Sequence, residues 1–294
     1  MRSRLLLLFA LLGELGIARI IPPLKARPEA IIHILQIIGN NEGDYEKIED
    51  GVIDYWKKTS IRRTEPSRRN SLRAVFGPTL RHLQLIRGEG DEIKLLPKAR
   101  ELLASYEHGG LIAFKQKLAE HLVKLEETRW ASVLPTLRNQ ESISLDSLMK
   151  NVLRQYPESA ADKSKLRKYL AYLEYVGLIS SKNGEITLRK SLYKNTVAGL
   201  QKTISTDQFM KVLLEIYSDL KTKQTSSYVP IPETKDAVCE RLGIWPDQFD
   251  EIMTKIPKET GAYLIHLTQP MVRESGGLKI GGKYFYYISI YTKE

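Results

Sequence analysis

The densest run of side chains with chemical potential is Ile61–Arg73, where Arg62, Arg63, Arg68, Arg69 and Arg73 stand among Thr64, Ser67, Asn70 and Ser71. A guanidinium fork matches the O6/N7 edge of guanine, and an Asn amide matches the N6/N7 edge of adenine. Hydroxyls donate to phosphate oxygens. Such a set suits a DNA groove better than bond making. A second set, Lys163, Lys165, Arg167 and Lys168, is richer in lysine. Lysine meets phosphate as a point charge, which predicts backbone contact more than base reading. Arg87 and Lys182 follow the two sets at comparable places.

The distribution of charge supports the same partner. The formal net charge is +10, with 45 Lys and Arg against 35 Asp and Glu. Residues 1–56 carry 6 basic and 8 acidic side chains, 57–100 carry 12 and 4, 154–194 carry 9 and 4, and 205–294 carry 11 and 12. The excess is confined to the two segments just described, as expected of an electrostatic footprint for double-stranded DNA.

Other chemistries find little material. A restriction-type nuclease pairs Pro-Asp with a following Asp/Glu-x-Lys around a metal. Pro246-Asp247 has no such follower, and Glu92-Ile93-Lys94 has only Asp54 upstream of it, on another predicted helix. These pieces read as a helix start and a hairpin. No Gly-x-x-x-x-Gly-Lys-Ser/Thr loop is present. The five histidines, 33, 82, 108, 121 and 266, lack metal-ligand spacing, and His33 and His82 read as packing residues on apolar helices. The single cysteine, Cys239, excludes an intrachain disulfide and a cysteine zinc site, and reads as a small buried hydrophobe. The expectation is a protein that is not an enzyme, with no catalytic residues, cofactor or metal.

The elements that must position the basic sets repeat. Leu85-Ile-Arg-Gly-Glu-Gly-Asp-Glu-Ile-Lys-Leu95 aligns without a gap on Leu178-Ile-Ser-Ser-Lys-Asn-Gly-Glu-Ile-Thr-Leu188. Each is two short apolar strands about a turn, and Asn183-Gly184 is a favoured type I′ pair. Before each hairpin runs a helical stripe: Leu72, Val75, Phe76, Leu80 and Leu83 in the first copy, with a break at Gly77-Pro78, and Leu166, Tyr169, Leu170, Leu173 and Val176 in the second. Shorter helical patterns lie upstream at Pro28–Ile38, Tyr45–Trp56 and Leu145–Tyr156, with Ser144 as half of a cap signal. Lys98–Glu127 predicts a connecting helical pair broken at Gly109-Gly110.

Helix, helix, helix and hairpin resembles the winged-helix plan, and the chain resembles tandem winged-helix DNA-binding proteins. The resemblance implies a mainly α fold with β-hairpins (α+β). It places an N-terminal apolar segment at 1–27, a first winged helix at 28–105, connecting helices at 106–143 and a second winged helix at 144–194. A looser third copy would lie at 205–294, with helices at Asp207–Leu220, Thr234–Leu242 and Asp247–Ile256 and a hairpin at Leu278–Tyr291. Lys221–Pro232 reads as linker-like. In a winged helix the third helix enters the major groove and the wing meets the adjacent backbone, where both basic sets fall.

Architectures of this size resemble the recognition halves of type IIS restriction enzymes, accessory subunits of prokaryotic defence and mobile-element systems, and plasmid replication initiators. The rival class is a winged-helix scaffold within a larger complex, and a divergent nuclease ranks last. Near-neutral 205–294, with Trp245, Phe249 and the cluster Tyr284-Phe285-Tyr286-Tyr287, reads as a protein-contacting or self-associating module rather than a stacking platform. At the N-terminus, basic Met1–Arg4 and apolar Leu5–Leu12 precede Gly16-Ile17-Ala18, the pattern of a signal peptide. Glu14 close behind the apolar run, and the lack of a disulfide framework, favour a cytoplasmic location without membrane contact over secretion.

Overall fold

The computed structural model describes residues 21–59, 70–128, 130, 133–155, 163–199, 204–223, 228–256, 259–260, 263–270 and 276–292. They form a mainly helical α+β protein with small antiparallel sheets, in two compact units, 1–188 and 189–294.

Among the described residues the first helices of unit 1 are α1 (Ala30–Asn40) and α2 (Tyr45–Thr59), which bury Ile31, Ile34, Leu35 and Ile38 on the one and Ile48 and Val52 on the other. The Asp44 carboxylate accepts the Lys47 N–H (3.1 Å) and so caps α2. A π-helical turn, Leu72–Phe76, then runs into α3 (Gly77–His82). The wide turn has a local cause. Pro78 offers no N–H, so the α-helical bond to Ala74 is unavailable, and the Gly77 N–H bonds to the Leu72 carbonyl, five residues back. Trp56 packs its ring on Phe76 (5.5 Å between centroids) and fixes this turn against α2.

The hairpin β1 (Ile86–Arg87) and β2 (Lys94–Leu95) follows, with a 3-10 turn, Gly90–Glu92, at its tip. Gly88 has φ +79, and a Cβ there would stand 2.2 Å from the Glu92 carbonyl oxygen, so the bend requires glycine. The tip folds back: the Asp91 carboxylate accepts the Tyr45 N–H (3.0 Å) at the start of α2.

The long element α4 (Pro97–Thr128) is two helical segments, interrupted at Gly110 with φ 64 and ψ −158, at the glycine pair expected from sequence. The second copy then reads α5 (Val133–Arg138), β3 (Ile143–Ser144), α6 (Leu145–Gln155), α7 (Lys163–Tyr175), β4 (Ile179–Lys182) and β5 (Glu185–Leu188). Its sheet has the order β3–β5–β4. Asn183 and Gly184, with φ 53 and 81, make the expected two-residue turn. Ser144 Oγ accepts the Ser147 N–H (3.3 Å), completing the half-signal for a cap on α6.

The sequence repeat is also a backbone repeat. Ile86 pairs with Leu95, and Ile179 with Leu188, at the same places in the aligned segments. The Leu85 N–H bonds to the Leu80 carbonyl (2.8 Å), and the Leu178 N–H to the Leu173 carbonyl (2.9 Å). Gln84 and Gly177 both take positive φ, 54 and 77, at the helix exit. The copies differ by one residue: Leu72 lies eight positions before Leu80, whereas Leu166 lies seven before Leu173. The π-helical turn absorbs the extra residue, so both leucines stay buried.

Unit 2 opens with α8 (Lys190–Val197), then α9 (Thr206–Thr222), β6 (Val229–Pro230), α10 (Ile231–Leu242) and α11 (Pro246–Lys255). Strands β7 (Glu259–Thr260), β8 (Tyr263–Thr268), β9 (Leu278–Ile280), β10 (Lys283–Phe285) and β11 (Tyr287–Thr292) complete it. The larger sheet has the order β6–β11–β8–β7, and β9 pairs with β10 separately around Gly281-Gly282. From α9 onward the order helix, strand, helix, helix follows that of 133–155 and α7, and the strands after it include β8 and β11, with β7 and the β9–β10 pair added. In both sheets the last strand lies between the short first strand and the one before the turn.

Three boundaries move from those expected. The second copy starts at α5, inside the predicted connector 106–143, and the connector itself is α4. Residues 189–194 belong with unit 2, because Arg189 is ion-paired with Asp236, Ser191 donates to Glu240, and Asn195 Nδ2 donates to the Gly243 carbonyl (3.1 Å). Lys221–Pro232 is not a linker throughout, since its ends lie in α9 and in β6 and α10. The predicted hairpin Leu278–Tyr291 is also divided: β9 and β10 form a small hairpin, and β11 pairs with β8.

Candidate nucleic-acid interface

The third helix of each copy in unit 1 carries the candidate side chains. Counted back from the buried leucines, Arg73 follows Leu72 as Arg167 follows Leu166, so these two arginines occupy one position of the repeated module. Both are exposed, and neither has an ion pair or hydrogen bond among the described residues. Asn70 is exposed just before the π-helical turn. Without that turn the extra residue would rotate this end by about 100°. On α7 the outward stripe is Ser164, Arg167, Lys168, Ala171 and Glu174, opposite buried Leu166, Tyr169, Leu170 and Leu173.

The remaining predicted residues divide. Arg62, Arg63, Arg68 and Arg69 lie outside the described residues. Lys165 is half-buried. Lys163 is held by Asp146 of α6, whose carboxyl it keeps below the usual range by hydrogen bond and charge. Arg87 and Lys182 are exposed on the two hairpins. Arg87 stands directly across from Lys94, also exposed, whereas Lys182 stands across from Glu185. Like charges directly opposed are destabilising, and an anion laid over the first hairpin would relieve them. Arg81 and Arg100, within the basic segment, are engaged internally. Arg81 reaches Glu89 (3.3 Å), and Arg100 donates from one guanidinium nitrogen to both carboxylate oxygens of Glu42 (2.8 and 2.7 Å). Burial alone would raise the Glu42 carboxyl, but the Leu95 N–H and the Arg100 guanidinium overcome this and hold it low.

Beneath the outward faces lies a buried polar layer that sequence reasoning missed. Thr79 of α3, wholly buried, donates to the Val75 carbonyl (2.8 Å) and accepts the N–H groups of Lys25 (2.9 Å) and Ala26 (3.0 Å). The Ala26 carbonyl accepts the Tyr172 hydroxyl (3.0 Å) from α7. Burial pushes the Tyr172 phenol up, so it remains a donor at any ordinary pH. Glu126, buried near the end of α4, accepts the Tyr169 hydroxyl and the Leu134 N–H (2.9 Å), tying α7 and the start of α5 to one carboxyl group. Trp130 meets Tyr169 edge to face at 5.2 Å. The His121 Nε2 bonds to the Leu83 carbonyl (2.5 Å). Burial lowers the His121 pKa, against the opposing pull of that carbonyl. His33, expected to pack, is instead exposed, though its ring lies 5.5 Å from Tyr55. Isolated polar residues within apolar helices were the only sign of this layer in the sequence.

Unit 2 places different chemistry on the equivalent helix. Along α11 stand Asp247, Asp250 and Glu251 against Lys255. Glu251 pairs with Lys255 of the same helix, and Asp250 with Lys235 of α10 (2.6 Å). Cys239 is buried in α10 as expected, and burial raises its thiol far above the ordinary value. Of the terminal aromatic residues, Tyr291 is exposed, and Tyr286 and Tyr287 are half-buried with rings 5.0 Å apart. No helix among the described residues is long and apolar enough to cross a membrane. Comparisons with protein families, curated proteins and solved structures give no match to the chain.

Proposed function

We propose that the chain is a duplex DNA-binding protein whose unit 1 contains two winged helices, with the π-helical turn Leu72–Phe76 and α3 together, and α7, as the groove-facing helices and the β1–β2 and β4–β5 hairpins as wings. The observation that carries this reading is the recurrence of an exposed arginine without a hydrogen bond or close ion pair among the described residues, Arg73 and Arg167, at one position of a repeated helix-to-hairpin module; Arg167 feels only the more distant charge of Asp146. The β3–β5–β4 order below α6 and α7 supports the winged-helix assignment of the second copy. The +8 excess over 57–100 supports a polyanionic partner. The test is a salt titration of duplex binding. Neutralising about six phosphates gives a log–log slope of roughly −5. A slope near zero, or no binding at low salt, overturns the proposal.

A second reading applies to unit 2, where the acidic α11 favours a role as a protein-contacting winged-helix module. In this division of labour the chain is a recognition or accessory subunit, of the kind used by prokaryotic restriction, defence or mobile-element systems, without an active site of its own.

A further inference from the structure

We infer that Arg73 and Arg167 read two halves of one composite DNA site at a fixed spacing, set by a clasp of Thr79, Ala26 and Tyr172; this rests on the duplex-binding reading above. Thr79 and Tyr172 hold the same position in their copies, one residue before Leu80 and Leu173. Both bond to the same short segment. Thr79 takes the Lys25 and Ala26 N–H groups, and the Ala26 carbonyl takes the Tyr172 hydroxyl. The inner faces of the two third helices therefore meet across a single residue, and both meeting side chains are fully buried.

Two reading heads on a flexible tether would accept half-sites at many separations, because the linker supplies an effective concentration rather than a geometry. Here the clasp, together with the Glu126 bonds from α4 to α7 and α5, leaves one separation. Half-site spacing is then a geometric property of the protein. An arginine at the same place on each helix offers each half the same fork, whose preferred partner is the O6/N7 edge of guanine. Tyr172 and Thr79 touch no base and act as positioning residues.

The test starts from sites selected by the full chain out of a random duplex pool. The expected result is two short blocks, each containing guanine, separated by a constant gap. Arg73→Ala should erase preference in one block and Arg167→Ala in the other, each by about tenfold. Inserting two base pairs in the gap should weaken binding by at least about tenfold. Tyr172→Phe, which keeps the ring and removes the hydroxyl, should reduce that insertion penalty while leaving the preference within each block; its melting temperature confirms the fold. Selection of a single block, or an insertion tolerated within about twofold, overturns the composite site. An insertion penalty unchanged in Tyr172→Phe overturns the role of Tyr172. Failure to bind any duplex at low salt is a separate outcome and refutes the duplex-binding reading itself.

Discussion

Residues 133–188 and the part of unit 2 from α9 onward both run helix, strand, helix, helix before their remaining strands, and both lay the last strand beside the first, yet they present opposite chemistry on the helix before those strands. In the first, α7 shows Arg167 and Lys168 to solvent, while its inner face is pinned by Tyr169 and Tyr172. In the second, α11 carries three acids, two of them paired with lysines. The backbone plan is indifferent to this choice, because it depends on the buried stripe and the strand pairing. A fold of this kind specifies where a helix face is offered, and the outward residues decide to what.

The largest test of that comparison is to separate the units. A chain ending at Leu188 should keep duplex affinity within about threefold, while 189–294 alone should bind at least about 100-fold more weakly. Sedimentation of full and shortened chains should show association with itself or a partner travelling with 189–294. If the folded 1–188 chain loses affinity by orders of magnitude, unit 2 belongs to the DNA-contacting surface and the contrast between α7 and α11 misleads.

Glu126→Ala should strike unit 1 alone. Removing the carboxyl leaves the buried Tyr169 hydroxyl and Leu134 N–H without their acceptor, at a cost of about 1–3 kcal/mol. Calorimetry should show the transition of 1–188 lowered by several degrees, with that of unit 2 in place. Equal movement of both transitions would show that the two regions do not melt independently.

Within unit 1, the two third helices differ where Lys168 matches Ala74. Lys168→Ala should weaken binding to all sequences alike and reduce the magnitude of the salt slope by about 1, while Ala74→Lys should raise it by about the same amount. An unchanged slope in both would place these positions off the phosphate track.

The pH response should also differ between the units. In the folded chain the pKa of His121 lies below the unfolded value of about 6.5. Below that value the unfolded chain binds more protons, so unit 1 should lose stability as pH falls from about 6.5 toward the folded pKa, and should show no His121 dependence well above it. His121→Gln should reduce this loss in denaturant titrations of 1–188, leaving the part that belongs to His82, whose pKa burial and the neighbouring Arg81 charge also lower. The same denaturant titrations of 189–294 supply the comparison. The smallest change is Asp146→Asn, which frees Lys163. It should strengthen duplex binding at low salt by less than about tenfold, and a weakened complex would assign Asp146 a positioning role.

Much of unit 1 is legible in order of residues because its signals are local. The aligned segments Leu85–Leu95 and Leu178–Leu188 return as hairpins of matching register, Asn183-Gly184 returns as the expected turn, and Gly110 breaks α4 where the glycine pair stands. The elements missed are short or distant in sequence. α5 is six residues containing Pro135, and β3 and β6 are two residues each, too brief to show a period. The pairing of β11 with β8 joins strands separated by the β9–β10 hairpin, so the terminal aromatic residues read as one hairpin when they belong to two sheets.

By itself the sequence determined the placement of charge, the repeated module and the helical stripes, because each follows from residue type and near-neighbour spacing. Only the tertiary structure decided which charges remain available. Arg81, Arg100 and Lys163 lie in the same basic segments as Arg73 and Arg167, but they are held by Glu89, Glu42 and Asp146. It also decided that a one-residue mismatch between copies becomes a π-helical turn, which brings Arg73 to the place of Arg167, and that Ala26 joins the two third helices. Those outcomes depend on packing between segments far apart in the chain, where no local spacing rule reaches.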